Sequence, residues 1–187
     1  MTVGNTGIVE DRRFHLVDAE GRLLTQRQEG RLVLVKARYS AESDVLSLRF
    51  PDGQCLDGPT ELGDALNTVI WGRQVPGREV SGRWSEALSE FCGSPVRLVK
   101  TENPGASYDE YPVSLLSQAS IDFMGERLTS GRSFESKRFR PNFLIAGCSP
   151  HEEDLWLGGV VQIGTELRIR LVAPDPRCAI TTLDPET

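Results

Sequence analysis

The stretch Asp175-Pro176-Arg177-Cys178-Ala179-Ile180-Thr181-Thr182-Leu183-Asp184-Pro185 places a cysteine directly after an arginine near the end of a 187-residue chain. The adjacent guanidinium favours the thiolate form of Cys178, and only the thiolate is a useful nucleophile or metal ligand. The alternative is that Cys178 is a small buried hydrophobic residue, because free cysteine is among the most buried residue types. The residues after Cys178 predict a short β-type run.

Several further motifs precede this stretch in a defined order. They are Asp11-Arg12-Arg13-Phe14 with Gly21 and Thr25-Gln26-Arg27, then Arg138-Phe139-Arg140-Pro141-Asn142, Glu153-Asp154-Leu155-Trp156 and Ile163-Gly164. In this order and spacing the sequence resembles the MOSC domain family, named for the C-terminal domain of molybdenum-cofactor sulfurases. Within the family it is similar to the branch that contains the amidoxime-reducing enzymes. The resemblance covers nearly the whole chain.

The resemblance implies a mainly β fold, a MOSC-like antiparallel β-barrel with a few short helices. It also implies one domain over residues 1–187, in which residues 1–100 resemble the N-terminal MOSC β-barrel part and residues 101–187 the MOSC core. The alternation of Leu46, Leu48 and Phe50 with polar or smaller residues indicates a strand independently of the family.

For the chemistry, the resemblance implies a pterin molybdenum cofactor whose metal is bound by Cys178, the predicted catalytic residue and metal ligand. The predicted cofactor-binding residues are Arg12, Ser117, Arg140, Asn142 and Arg177. Thiolate is a soft ligand that suits molybdenum. Guanidinium and amide groups supply the charge-assisted and directional hydrogen bonds that a phosphorylated pterin needs.

Simpler explanations exist for several of these residues. Ser117 is placed to cap a helix, and capping alone would account for it, although a helix N-terminus is also a ready anion site. Arg138 and Arg140 could form an exposed, ion-paired strand edge. Cys148 has a counterpart in the amidoxime-reducing branch, but nothing at its position demands metal binding.

Composition excludes several classes of protein. With 39% apolar and 26% charged residues the chain is neither disordered nor fibrous. The net charge of −6 counts against nucleic-acid binding. No apolar run approaches the roughly 20 residues of a membrane span, so we expect a cytoplasmic protein without a membrane partner. The four cysteines contain no C-x-x-C pair, which indicates free thiols rather than a structural zinc site.

Local patterns predict the secondary structure. Strands are expected at residues 13–17, 22–26, 31–39, 44–50, 68–71, 96–100, 143–146, 160–163 and 165–172. Helices are expected over Ser85 to Cys92, ended by Gly93, and over Ser117 to Leu128. The rest of residues 58–82 and residues 129–136 read as loops. Residues 101–111 read as a mobile loop that could form a lid.

The function implied by the family is an oxidoreductase that reduces N-hydroxylated small molecules. The chain has no flavin, haem or Rossmann signature, so the electrons would come from a separate redox donor protein. One alternative is a sulfur-carrier or sulfurtransferase protein that uses a Cys178 persulfide. Another is a truncated, non-catalytic binding subunit.

The two ends of the sequence lead us to expect that the chain associates with another copy or another subunit. It begins shortly before Asp11 and stops at Thr187, without further strands that family members carry. Open sheet edges tend to be paired or covered. We therefore expect a possible homodimer, or a complex with another subunit, with contacts near residues 4–11 or 182–187.

Overall fold

A computed structural model describes residues 2–4, 7–128 and 135–186. The strands are β1 Val3–Gly4, β2 Gly7–Ile8, β3 Phe14–Asp18, β4 Leu23–Leu24, β5 Lys36–Ser40, β6 Val45–Arg49, β7 Cys55–Pro59, β8 Leu62–Ile70, β9 Arg73–Val80, β10 Val96–Thr101, β11 Leu115–Ser117, β12 Phe143–Ile145, β13 Val160–Ile163 and β14 Leu167–Arg170. The α-helices are α1 Arg83–Cys92 and α2 Gln118–Gly125, and short 3-10 helices span Gly30–Leu34, Ser136–Arg138, Glu152–Trp156 and Ala179–Thr182. The mainly β class with two helices is confirmed.

The chain forms two compact units. The first contains Met1–Pro112 and Leu183–Thr187, and the second contains Val113–Thr182. Among the described residues, no helix is both long enough and apolar enough to cross a membrane. Most of the loop predicted at residues 129–136, and parts of the predicted contact regions 4–11 and 182–187, lie outside the described residues.

The first unit is built on a five-stranded antiparallel sheet with the order β4-β3-β10-β9-β8. His15 on β3 and Thr68 on β8 are joined by a hydrogen bond of 2.9 Å between Nε2 and Oγ1. Two strands separate β3 from β8 in the sheet, which would place them about 14 Å apart if the sheet were flat. The contact therefore requires a strongly coiled sheet, and β4 and β8 do approach one another.

A three-stranded sheet, β5-β6-β7, and helix α1 complete the core of the first unit. The predicted alternation on β6 is confirmed, since Leu46, Leu48 and Phe50 are all buried. Helix α1 ends at Gly93 in the left-handed conformation, as predicted. The other buried core residues are Leu32, Leu56, Val80, Trp84, Ala87, Leu88, Cys92, Val96 and Leu98.

A buried lysine links the two sheets of this unit. Lys100 on β10 is 8% exposed, and its Nζ donates to Asp44 Oδ1 and, at 2.9 Å, to Thr60 Oγ1. Tyr39 Oη also donates to Asp44 Oδ1, at 2.9 Å. A buried ammonium group is tolerated only when it is paired in this way.

The strand predicted over residues 31–39 is wrong in its first half. Gly30–Leu34 is a 3-10 helix, and β5 begins only at Lys36. The side chain of Glu29 accepts a hydrogen bond from the Arg31 amide at 3.1 Å, which caps the turn. Leu32 is the one buried residue of this 3-10 helix. The apolar run over residues 32–35 therefore does not indicate a strand that is buried on two faces.

The loop predicted for most of residues 58–82 is also wrong, because β8 and β9 form a long hairpin there. Gly77 lies within β9, where a Cβ atom would be 2.7 Å from Val99 Cγ1 and 2.8 Å from the Lys100 carbonyl oxygen. Glycine is therefore required where β9 packs closely against β10.

The second unit has little regular structure. Strands β11 and β12 pair in parallel, a departure from the antiparallel expectation. Helix α2 follows β11 directly and is shorter than predicted. Strands β13 and β14, both at predicted strand positions, form an antiparallel hairpin in which Val161 pairs with Ile169.

Burial of His15 makes the stability of the first unit depend on pH. The side chain is 9% exposed, and burial lowers its pKa from 6.5 to about 4. Between these values the unfolded chain binds more protons than the folded one, so the free energy of unfolding falls as pH falls. Complete titration corresponds to about 3 kcal/mol.

We predict that His15→Gln removes most of this pH dependence, because glutamine can still reach Thr68 but does not titrate. The measurement is urea unfolding of both proteins between pH 7.5 and 4.5. His151→Gln is the control, because His151 is the other histidine of the chain and is exposed. An unchanged pH slope in His15→Gln would contradict the assignment.

Candidate functional site

Cys178 is half-buried and lies at the start of a 3-10 turn. Its carbonyl oxygen accepts from the Thr181 amide at 3.2 Å and from Thr181 Oγ1 at 3.0 Å, and Thr182 Oγ1 donates to the Ala179 carbonyl at 2.7 Å. The β-type run predicted after Cys178 is wrong, because these threonine hydroxyls close turns instead. The turn leaves part of the Cys178 side chain accessible.

The cysteine segment lies beside the Arg138-Phe139-Arg140-Pro141-Asn142 segment. The Arg177 guanidinium stacks over the Phe139 ring, with 5.0 Å between Cζ and the ring centroid. Arg138 Nη1 donates to the Thr182 carbonyl oxygen at 3.3 Å. Two motifs that are about 40 residues apart in sequence therefore meet in the second unit. Arg177 also pairs with Asp175 at 3.2 Å, which partly offsets its charge near Cys178.

Arg140 and Arg12 share an unusual backbone conformation. Arg140 has φ 48° and Arg12 has φ 49°, in the left-handed region that costs a residue with a Cβ about 1–3 kcal/mol. Arg140 is exposed, and Arg12, in the first unit, is half-buried with Asp11 3.8 Å away. The Arg12 carbonyl accepts from Ser107 Oγ. Strain of this kind is often found where function dictates the direction of a side chain.

Asn142 ties the start of β12 to β11. Its Oδ1 accepts from the Ser114 amide at 2.9 Å and from Ser114 Oγ at 3.2 Å, while its own amide donates to Ser114 Oγ at 3.2 Å. The side-chain oxygen of Asn142, Oδ1, therefore helps to set the parallel register of these strands. Cofactor binding by Asn142 stays a prediction.

Ser117 is fully buried and caps α2, so the predicted N-cap is confirmed. Its Oγ accepts from the Ser120 amide at 3.0 Å and donates to Ser120 Oγ at 2.7 Å. Its backbone amide donates to Glu153 Oε1 at 3.0 Å. The predicted role of Ser117 in binding the cofactor remains untested, and in this conformation the side chain has no exposed surface.

Glu153 occupies the N-terminus of α2 as an internal anion. Its Oε1 also accepts from Ser120 Oγ at 2.7 Å, and Ser120 Oγ in turn accepts from the His151 amide at 2.7 Å. Glu153 is 7% exposed, and its Oε2 is buried without a hydrogen-bond partner among the described residues. Negative charge is stabilised at a helix N-terminus.

Two opposing effects act on the pKa of Glu153. Burial raises it, but hydrogen bonds from Ser120, from the backbone amide of Glu153 itself and from Ser117 lower it, and the pKa ends below its ordinary value. The carboxylate is therefore charged at neutral pH. It stabilises the fold above the ordinary pKa, and this contribution is lost as pH falls through the lowered one.

Sequence patterns alone did not single out Ser120 or Glu153 as members of this network. The Ser117-x-x-Ser120 spacing is a signal of a helix start. No local pattern shows that Glu153, rather than its neighbours Glu152 and Asp154, is the buried carboxylate. That distinction depends on how the 3-10 helix Glu152–Trp156 lies against α2.

Within the described residues there is no group of three or more His, Cys, Asp or Glu side chains that could hold a metal ion. A bare ion would therefore lack a protein cage. A cofactor that carries its own metal ligands needs only one protein thiolate, which the lone, half-buried Cys178 can supply.

The loop predicted as a lid is anchored within the first unit. Trp71 Nε1 donates to Asp109 Oδ1 at 2.7 Å, and Arg73 Nη1 donates to the Asp109 carbonyl at 2.8 Å. The Arg73 guanidinium also stacks over Tyr108 at 4.0 Å. Movement of this loop stays a prediction.

We predict that Glu153→Ala lowers the free energy of unfolding by about 1–3 kcal/mol, because it leaves the Ser117 amide and Ser120 hydroxyl without their buried acceptor. Glu153→Gln should lower the free energy of unfolding by less than Glu153→Ala. The difference in this free energy between Glu153→Gln and the unchanged protein should shrink below pH 4.5. Urea unfolding at pH 7 and pH 4 measures both effects. Asp154→Asn, at an exposed neighbour, is the control. Equal effects of Glu153→Ala and the control would exclude this role.

Comparison with known proteins identifies the family. The MOSC domain model matches residues 83–187, and the model of the MOSC N-terminal beta barrel domain matches residues 1–95. The chain is 31% identical to the Bos taurus mitochondrial amidoxime reducing component 2 over 97% of this chain and 59% of that protein. It is 28% identical to the Homo sapiens mitochondrial amidoxime-reducing component 1 over 97% of this chain and 58% of that one.

The chain thus spans about three fifths of the length of these curated relatives. A solution structure of a Bordetella bronchiseptica protein covers 54% of this chain and 78% of that chain at 19% identity and a TM-score of 0.41, a likeness that carries no argument. The two family matches together account for the motifs at both ends, and the chain belongs to the MOSC domain family.

Proposed function

We propose that this protein binds a pterin molybdenum cofactor and is an oxidoreductase that reduces N-hydroxylated compounds with electrons from a separate donor protein. The observation that carries the proposal is the meeting of the Arg138–Asn142 segment with the Arg177–Cys178 segment in the second unit. The names of the relatives, amidoxime reducing components, support the substrate class.

Each predicted residue has a role in this proposal. Cys178 supplies the single protein thiolate to the metal. Arg140, exposed and held in a strained conformation, directs its planar guanidinium toward the phosphate or pterin oxygens. Asn142, fixed by Ser114, holds the start of β12 next to it. Arg177 adds positive charge next to Cys178 in the chain, Ser117 positions α2, and cofactor binding by Arg12, which lies in the first unit, stays a prediction.

The reaction is a two-electron reduction in which an N–OH group, two electrons and two protons give N–H and water. When bound, the molybdenum would supply the two-electron redox centre. The protein's own contribution is to hold the thiolate and to place guanidinium groups where negative charge must be neutralised. In this proposal a separate protein donates the electrons, in line with the lack of a flavin, haem or Rossmann signature in the given sequence.

We also propose that the first unit is a β-barrel. A coiled sheet whose end strands approach one another supports an antiparallel barrel in the first unit. Organisation of residues 1–187 as one MOSC-like domain, a cytoplasmic location and a homodimer stay predictions.

A second candidate is a sulfur carrier. A lone, half-buried thiol beside an arginine is the site that a Cys178 persulfide would need, without any metal. This function requires fewer residues than cofactor binding does. The molybdenum and labile-sulfur content of the purified protein distinguishes a sulfur carrier from a cofactor-binding protein.

We predict that protein produced in a host that makes the cofactor contains close to one molybdenum per chain, and that Cys178→Ser loses it while its fold stays intact. The measurements are metal analysis, labile-sulfur analysis and urea unfolding. Cys148→Ser is the matched control, since Cys148 is also half-buried. Labile sulfur without metal would support the sulfur carrier, and full metal content in Cys178→Ser would refute the assigned ligand.

We also predict that Arg140→Lys lowers cofactor retention more than Arg138→Lys. An ammonium group does not reproduce a bidentate guanidinium, whereas a hydrogen bond such as that from Arg138 Nη1 to the Thr182 carbonyl oxygen is one that lysine can also form. Pterin and molybdenum content after gel filtration measures the difference. Equal content in the two variants would count against the role of Arg140.

A further inference from the structure

The proposed metal ligand lies in a stretch of chain that no strand pairing holds in place. We call this stretch, residues 173–182, the thiol segment, and all of it is described. Its regular structure is the 3-10 turn Ala179–Thr182, and its backbone hydrogen bond, from the Thr181 amide to the Cys178 carbonyl oxygen, stays within the segment. The position of Cys178 therefore depends on side-chain contacts with other elements.

Two directional contacts join the thiol segment to the other described residues. Arg138 Nη1 donates to the Thr182 carbonyl oxygen at 3.3 Å, four residues after Cys178. The Arg177 guanidinium stacks over the Phe139 ring at 5.0 Å, directly before Cys178. The contact with Phe139 is thus the one that acts on the residue next to the thiol.

Phe139 is itself held by the turn in which it lies. It follows the 3-10 helix Ser136–Arg138, and its amide donates to the Ser136 carbonyl oxygen at 3.0 Å. The Arg140 amide donates to the same oxygen at 3.2 Å. One turn therefore fixes the backbone of both residues, and a thiol segment that packs on the Phe139 ring has a defined position relative to Arg140.

Arg177 can transmit this contact to Cys178 because the backbone before it is stiff. Pro174 and Pro176 each fix φ, and Asp175 precedes a proline, which restricts it to extended conformations. Asp175 Oδ2 also accepts from Arg177 Nη1 at 3.2 Å, so a second group holds the guanidinium. Fixing the guanidinium therefore limits the positions that the adjacent thiol can take.

We propose that Phe139 is a positioning residue for the reduction, and that its ring holds Arg177 and thereby the Cys178 thiol in a defined position relative to Arg140. This inference rests on the proposed function, because it assigns the thiol to the metal. The Arg177 side chain is 35% exposed. A cation–π contact at such a partly exposed site shifts an equilibrium by about two- to fivefold. Loss of the ring should therefore release the thiol segment and leave the fold intact.

The test begins with three substitutions. Phe139→Leu removes the ring but keeps an apolar side chain, whereas Phe139→Tyr keeps the ring and should behave as the unchanged protein does. Phe123→Leu is the matched control, because Phe123 is another half-buried phenylalanine of the second unit, with Arg127 Cζ 3.4 Å from its ring centroid. Urea unfolding shows that each variant folds.

The first readout is the rate at which iodoacetamide alkylates Cys178 in the cofactor-free chain, measured by peptide mass spectrometry. Cys148 in the same molecule is the internal reference, because it is also half-buried. Release of the segment exposes the thiol, so we expect Phe139→Leu to raise the Cys178 rate about threefold relative to Cys148, and the other two variants to change it less than about 1.5-fold. An equal rise in Phe123→Leu, or no rise in Phe139→Leu, would overturn the proposal.

Arg177→Met shows whether Phe139 acts through Arg177. Methionine keeps the apolar stem and removes the guanidinium, so adding Phe139→Leu to Arg177→Met should leave the alkylation rate unchanged. If the two substitutions instead multiply their separate effects in the double variant, Phe139 does not act through Arg177 and the proposal is wrong.

Molybdenum content separates this inference from the proposed function. In protein from a host that makes the cofactor, we expect Phe139→Leu to retain about threefold less molybdenum after gel filtration than the unchanged protein, and Phe139→Tyr and Phe123→Leu to retain as much. Equal retention in Phe139→Leu and the unchanged protein would contradict a positioning role. Absence of molybdenum from the unchanged protein would remove the proposed function and, with it, the reaction that Phe139 serves, whatever the alkylation rates.

Discussion

The second unit depends on one buried carboxylate. The Glu153 carboxylate accepts hydrogen bonds from the Ser117 backbone amide and from the Ser120 hydroxyl. Ser120 Oγ in turn accepts a hydrogen bond from the His151 backbone amide. This network joins the Glu152–Trp156 turn to the start of α2 and therefore to the end of β11. Among the described residues of this unit, Leu116 and Ile121 are the only buried apolar residues, so directional hydrogen bonds supply much of the order that a larger core would otherwise provide.

The same network explains why the helix N-terminus is not an empty anion site. The partial positive charge of the α2 N-terminus is already matched by the Glu153 carboxylate. Any anionic cofactor must then depend on side chains elsewhere. Arg140 and Arg12 are two of the five described non-glycine residues with positive φ, and both are predicted cofactor-binding residues.

The first unit uses paired polar groups in a comparable way. Lys100 is buried against Asp44 and Thr60, and His15 Nε2 contacts Thr68, so each group has a hydrogen-bond partner distant in sequence. Such contacts form only when the sheet coils and the two sheets pack together. They make the coiled shape specific, because an unpaired buried lysine or histidine would cost several kcal/mol.

The sequence by itself determined the family, the mainly β class, both helices with their Ser117 and Gly93 caps, and the alternating burial of β6, because these rest on local periodicity and on ordered motifs. Only the tertiary structure decided the parallel pairing of β11 with β12, the β8–β9 hairpin and the turn after Cys178. The need for glycine at Gly77 comes from Val99 on a neighbouring strand, which the sequence around Gly77 does not show. Likewise, the choice of Glu153 among three consecutive acidic residues depends on contacts with α2, which no spacing along one segment can reveal.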